Sequence, residues 1–321
     1  MVDMRPCGAH RAGFAVLASA LALLGPTACG SSPDQGAGQK VNVVAGFYPL
    51  QFVAEQVGGD RASVTNLAQP GAEPHDMELS PSQVAEIADA NLVVYIAGFQ
   101  PAVDEAVKQE AKDSSFDAAT AVTLIDATAG HGHEAAGASP EPTPAEEDGG
   151  KDPHIWLDPT RLATIADALA ERLATADPAG AAGFRERAAA LKGRLTELDQ
   201  QYQQGLKTCQ RREIVVSHAA FGYLADRYDL DQIAITGISP EVEPTPQRLA
   251  EVAAEAKEHG ATTIFFETLV SPRVAEAIAT EVKARTAMLD PIEGLQPGST
   301  DDYLSVMRTN LATLKPALGC T

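Results

Sequence analysis

The sequence predicts an α/β protein: two βα domains with parallel sheets, joined by one long rigid helix. Three observations carry this. Strand-like and helical segments alternate from Val41 onward, as parallel strands joined by crossovers require. The same alternation resumes in the second half. Between the halves Phe184, Ala188, Leu191, Leu195, Leu198, Tyr202 and Leu206 recur at spacings of three and four, a single apolar stripe. A helix over 181–207 would reach about 40 Å, enough to run along both domains. The chain has 321 residues, 45% hydrophobic and 21% charged, and so reads as globular and large enough for two domains.

The expected division is 1–28, a leader; 29–40, a flexible tether; 41–180, the first βα domain; 181–208, the linking helix; and 209–321, the second βα domain. Arg5 and Arg11 make the start basic, and an apolar run over 12–24 follows. The run is too short to span a bilayer comfortably and has the charge order of a secretory signal. Thr27-Ala28-Cys29 resembles a bacterial lipoprotein cleavage site, in which Cys29 becomes the lipidated first residue. Pro26 departs from that pattern, which usually has an aliphatic residue there. The polar, Gly/Ser-rich segment after Cys29 reads as the tether.

In the first domain, 41–47 alternates apolar and polar as a strand, and 48–57 is a short helix stopped by Gly58-Gly59. A strand over 62–67 leads into a loop rich in breakers, Gln69-Pro70-Gly71-Ala72-Glu73-Pro74-His75. Ser80 caps the next helix and Pro81 takes its first position. Segment 91–96 is a continuous apolar strand, as expected when both faces of a sheet are covered. A helix over 101–112 and a fourth strand over 122–125 complete the domain. Segment 127–151, with His131, His133, three prolines and several acids, reads as a mobile surface insertion. A helix over 159–176 follows, broken at Asp177-Pro178.

The second domain repeats the theme. Strands are expected over 213–217, 232–236, 262–266 and 286–289. Helices are expected over 219–228, 247–259, 272–285 and 303–318. Cys209 and Cys320 remain once Cys7 leaves with the leader and Cys29 is modified. Outside the cytoplasm an even pair usually bridges, so a Cys209–Cys320 disulfide is expected.

The formal net charge is −20. Such a chain repels nucleic acid and attracts cations, although acidity alone also serves solubility. Of seven histidines, His10 leaves with the leader, His131 and His133 fall in the insertion, and His259 suits a helix C-terminus. His75, His154 and His218 remain. Each lies beyond the carboxyl end of a strand or in a loop on that edge, where open parallel sheets bind ligands. Asp290 and Glu267 end strands on the same edge. Candidates from both halves place the site in the interdomain cleft. Three imidazoles and one carboxylate would satisfy tetrahedral zinc without a thiol. Spacing alone favours a surface hydrogen-bonding role for each histidine over a ligand role. The sequence has no His-Glu-x-x-His helix, no Cys-x-x-Cys pair, no phosphate-binding glycine loop and no Gly-x-Ser-x-Gly turn, so enzyme chemistry has no positive support.

Several stretches in order carry a resemblance. They are Pro70-Gly71-Ala72-Glu73-Pro74-His75-Asp76-Met77-Glu78, Ala90-Asn91-Leu92-Val93-Val94-Tyr95, Asp152-Pro153-His154-Ile155-Trp156-Leu157-Asp158-Pro159, Ser217-His218-Ala219-Ala220-Phe221-Gly222-Tyr223, Gly237-Ile238-Ser239-Pro240 with Glu243-Pro244, and Leu289-Asp290-Pro291. Over residues 41–320 the chain resembles the zinc/manganese-binding substrate-binding lipoproteins of bacterial ABC transporters. The resemblance implies that His75, His154 and His218 are imidazole ligands and that Asp290 supplies the carboxylate, with Glu267 as the rival or as a partner behind a ligand. A histidine at position 218 goes with zinc in that family, and a carboxylate there with manganese. The resemblance further implies a monomeric extracytoplasmic receptor that hands Zn2+ to a cognate membrane permease. A His-rich loop, frequent in zinc members, would here hold only His131 and His133. The alternatives are a manganese-binding homologue, a surface adhesin, or a zinc hydrolase with Glu73 or Glu267 as base.

Overall fold

The computed structural model describes residues 40–127 and 150–321. The leader, the lipidation site at Cys29, most of the tether, and His131 and His133 lie outside the described residues. The first sheet is built from β1 (Val41–Ala45), β2 (Ala62–Asn66), β3 (Leu92–Tyr95) and β4 (Ser115–Asp117), all parallel, in the order β2-β1-β3-β4. Its helices are α1 (Tyr48–Gly58), α2 (Pro81–Ala88) and α3 (Pro101–Glu110). Two further helices follow, α4 (Pro159–Ala176) and α5 (Ala181–Gly205). The second sheet comprises β5 (Glu213–Val216), β6 (Asp231–Ala234), β7 (Thr263–Phe266) and β8 (Arg285–Met288), again all parallel, in the order β6-β5-β7-β8. Its helices are α6 (Gly222–Tyr228), α7 (Pro246–Glu258), α8 (Arg273–Val282) and α9 (Tyr303–Leu318).

Both sheets therefore have the same strand order. In each, the chain leaves a central strand for one neighbour and then crosses to the other side. The carboxyl ends of β1 and β3, and of β5 and β7, thus open as crevices. Local sequence explains the helix starts. Ser80 and Gln83 form a reciprocal capping box ahead of α2, and Asp302 and Ser305 do the same ahead of α9. Proline occupies the first turn of α1, α2, α3, α4 and α7, where its missing N–H costs nothing.

One strand differs from expectation. The fourth strand of the first sheet is Ser115–Asp117, and 122–125 is irregular. Phe116 is buried, and the pairing with β3 spans only three residues. A three-residue edge strand has no periodicity to read. The apolar side chains of Val122, Leu124 and Ile125 pack on the core from a loop instead.

The apolar stripe of α5 is buried from Phe184 to Tyr202. It packs against α1 and α4 in the first half and against α9 in the second, so one continuous core runs through both domains. Two smaller cores fill the outer faces: α2 and α3 on the first sheet, α7 and α8 on the second. At 25 residues α5 is about 37 Å long, a stiff spine along both domains.

Cys209, just past α5, is bonded to Cys320, just past α9, across 111 residues. Thr208 also donates to the carbonyl of Thr321 at 2.8 Å, and Arg211 to that of Ala317 at 3.1 Å, so the C-terminus is tied at several points. Closing so long a loop constrains the unfolded chain. Cys320→Ser should lower unfolding stability by about 2–4 kcal/mol in a denaturant titration. A midpoint equal to that of the oxidised parent would count against this role.

Candidate metal centre

His75 lies in the loop between β2 and α2, where its backbone N–H donates to Glu73 at 3.0 Å. His154 immediately precedes a short 3-10 turn, Ile155–Leu157, at the foot of α4. Its backbone N–H donates to Asp152 Oδ1 at 2.9 Å, and its ring Nδ1 meets the same oxygen at 2.8 Å. His218 follows β5 at the crevice of the second sheet, with Nδ1 at 3.0 Å from Glu267 Oε1, just past β7. All three imidazoles are buried, His75 being 6% exposed and His154 fully enclosed.

The structure brings these histidines together with Glu293, and one donor atom from each lies within 4.8 Å of the others. Glu293 Oε1 is 3.0 Å from His218 Nε2, 3.3 Å from His75 Nε2 and 3.4 Å from His154 Nε2. A tetrahedron with zinc bonds of about 2.0–2.1 Å has edges of about 3.3 Å. The His75 and His154 separations match that value and the His218 separation is shorter, while all four donor atoms lie within 4.8 Å of one another. His154 Nε2 is moreover buried without a hydrogen-bond partner. An enclosed polar atom left so is expensive, and a metal ion at the centre of the cluster would satisfy it.

Asp290 is not in the cluster. Its Oδ1 accepts the N–H of Ile292 at 2.7 Å, and its Oδ2 accepts the hydroxyl of Thr268 at 3.1 Å. Its own backbone is clamped on both sides by the Asn310 amide, at 3.0 and 2.7 Å. Ile292 has a φ of +60°, a left-handed conformation unusual for a β-branched residue. Asp290 thus braces the turn, and the turn throws Glu293 into the cleft. The carboxylate expected at the strand end is the brace, and the one facing the imidazoles comes three residues later. Glu267 also faces away from the cluster centre, held on His218 Nδ1.

The electrostatics are those of a tightly coupled set. Burial alone would raise the Glu293 carboxyl, but the facing imidazoles, His218 foremost, hold it well below the usual carboxylate range. Burial opposes charge on His218, yet Glu293 and Glu267 outweigh it and raise the imidazole to about 10. Asp152 and Glu293 likewise outweigh burial at His154 and raise it. Burial dominates at His75 and lowers it. A metal ion bound at these nitrogens must replace any proton they hold.

An aromatic floor supports the cluster. Phe99 stacks edge-on against His75 at 4.5 Å, and Trp156 lies 5.2 Å from His154. The Trp156 indole donates to the Pro291 carbonyl at 2.7 Å, and the Tyr303 hydroxyl donates to the Trp156 carbonyl at 2.6 Å. Tyr223 donates to the Asp152 carbonyl at 2.7 Å. These bonds pin the two domains to each other directly beneath the site.

Two βα domains closed over a buried set of three imidazoles and one carboxylate define a two-lobed binding protein with the donor set of a metal site. The sequence model of the family described as zinc-uptake complex component A, periplasmic, matches residues 43–317. The chain belongs to that family. It is 35% identical over 286 residues to the zinc-binding protein AdcA of Streptococcus pyogenes, covering 86% of this chain and 56% of that one. The chain thus spans little more than half the length of those AdcA relatives. It is 31% identical over 316 residues to the high-affinity zinc uptake system protein ZnuA of Bacillus subtilis, covering 95% of this chain and 97% of that one. Among solved structures, it resembles the laminin binding protein Lmb of Streptococcus agalactiae, described as bifunctional with adhesin and metal transporting activity. The TM-score is 0.75 at 32% identity, covering 87% of this chain and all of that one.

Proposed function

We propose that this protein is the extracytoplasmic receptor of an ABC-type zinc uptake system. It captures Zn2+ with His75, His154, His218 and Glu293 and delivers it to a membrane permease. The observation that carries this reading is the enclosed cluster of three imidazole nitrogens and one carboxylate oxygen, all within 4.8 Å of one another, with Glu293 Oε1 at 3.0–3.4 Å from each nitrogen. Three imidazoles suit zinc better than manganese, which favours oxygen donors. Four buried protein donors leave no open position of the kind a hydrolytic zinc site keeps for water, which supports a binding role over catalysis. The names of AdcA and ZnuA agree with zinc as cargo. The basic and apolar start of the chain and Thr27-Ala28-Cys29 support export and a lipid anchor at Cys29. Among the described residues no helix is long and apolar enough to cross a membrane.

The test is metal analysis of the isolated protein followed by competitive zinc and manganese titration. One equivalent of zinc is expected, with manganese failing to displace it. Manganese binding as tight as zinc would defeat the assignment. The likeness to Lmb supports adhesion as a second reading. Binding of the purified protein to immobilised laminin, with and without zinc, tests it.

A further inference from the structure

We propose that Asp152 and Glu267 are positioning residues for zinc binding, each fixing the tautomer and ring orientation of one histidine through its Nδ1. The inference rests on the zinc reading above and extends it to two carboxylates that do not face the ion. A neutral imidazole has one N–H and one lone pair, and either nitrogen can carry the proton. An ionised carboxylate only accepts hydrogen bonds. One placed at Nδ1 therefore keeps the proton there and leaves the Nε2 lone pair for a metal. Asp152 Oδ1 lies 2.8 Å from His154 Nδ1, and Glu267 lies 3.0 and 2.9 Å from His218 Nδ1 through its two oxygens. Both Nε2 atoms point instead at Glu293.

Both carboxylates are themselves held. Asp152 is 3% exposed, and its Oδ1 also accepts the backbone N–H of His154, closing a small ring around that residue. Its backbone is fixed by Tyr223 at 2.7 Å and by the Ile125 carbonyl at 3.1 Å. Gly222 leaves the room it needs: a Cβ there would stand 2.4 Å from Asp152 Oδ2. Glu267 is 4% exposed at the end of β7, the strand beside β5 that presents His218. The crevice of the second sheet thus sets ligand and orienter side by side. His75 differs, for Glu73 binds its backbone N–H and stands 4.0 Å from Nε2. Two of the three imidazoles therefore carry a carboxylate behind them. In a low-dielectric cleft these two charges also offset what Glu293 leaves of a divalent ion's charge.

The test uses the full chain with Asp152→Asn, Glu267→Gln and Gly222→Ala. Zinc affinity is measured by competition with a chelator, and 15N-labelled histidine signals are recorded on the zinc-loaded proteins. In the parent, His154 and His218 should carry the proton on Nδ1 and the metal on Nε2. The two amide variants, close in shape to the parent, should bind zinc about 10–100-fold more weakly and show altered Nδ1–H signals. Thermal melts of the metal-free variants should stay close to the parent, which a merely structural role would not allow. Gly222→Ala should weaken zinc in the same direction by displacing Asp152, although it touches no ligand. Variants matching the parent in both affinity and histidine signals would overturn the positioning role alone. A parent that takes no zinc would overturn the zinc reading and this inference with it.

Discussion

Glu293→Ala should weaken zinc binding about a hundredfold. Structural zinc sites with four ligands bind with about 10–16 kcal/mol, so one ligand in four carries about 3 kcal/mol. That is about two decades in affinity. Glu293 is also the sole anionic donor facing the three imidazoles in the cluster. Removing it leaves a buried divalent ion with only neutral ligands. Asp290→Asn is the paired control. An asparagine Oδ1 can still accept the Ile292 N–H, so the turn survives and zinc affinity should change little. If Asp290 supplied the ligand, the ranking would reverse. Competition against a chelator of known affinity decides between them, and an Asp290→Asn loss as large as that of Glu293→Ala would sink the assignment of Glu293.

The second large effect concerns stability. Trp156→Ala should destabilise the metal-free protein by about 3–5 kcal/mol, the usual range for truncating a fully buried large aromatic. The indole fills a space against Phe47 at 4.7 Å and Phe99 at 5.3 Å. Its N–H is also a bond between the two domains, ending on Pro291. Trp156→Phe keeps much of the packing but leaves that carbonyl unpaired, and should lose about 1–3 kcal/mol. Pro291 lies two residues before Glu293, so both variants should also bind zinc less tightly. Urea unfolding followed by circular dichroism, without metal, measures the first effect. A Trp156→Ala midpoint within error of the parent would mean that the strut carries no stability.

Much of the fold was legible because long elements repeat their signal. The stripe of α5 extends over about five turns, from Phe184 to Tyr202, and breakers mark the ends of most other helices. The short β4 was not legible, because three residues of a strand hold no pattern and the more apolar segment at 122–125 drew the assignment. The three histidines were legible from their place on the sheet edges and from the resemblance. Glu293 was not. Asp290, Glu293 and Glu267 all lie on the same edge; Glu267 is held on His218 Nδ1, and the turn that separates Asp290 from Glu293 carries a left-handed angle at Ile292. No residue type announces that angle, and isoleucine argues against it. Asp152 closes a local turn by accepting the His154 backbone N–H. Its second role, at His154 Nδ1, appears only when ring and carboxylate are placed in space.

The position of Trp156 has a practical consequence. It is the only tryptophan in the chain, wholly enclosed, and within 5.2 Å of the His154 ring. Loading the cleft with a divalent ion changes the charge beside a single fluorophore. Tryptophan emission followed during a zinc titration should therefore report occupancy directly, without label, chelating dye or engineered probe.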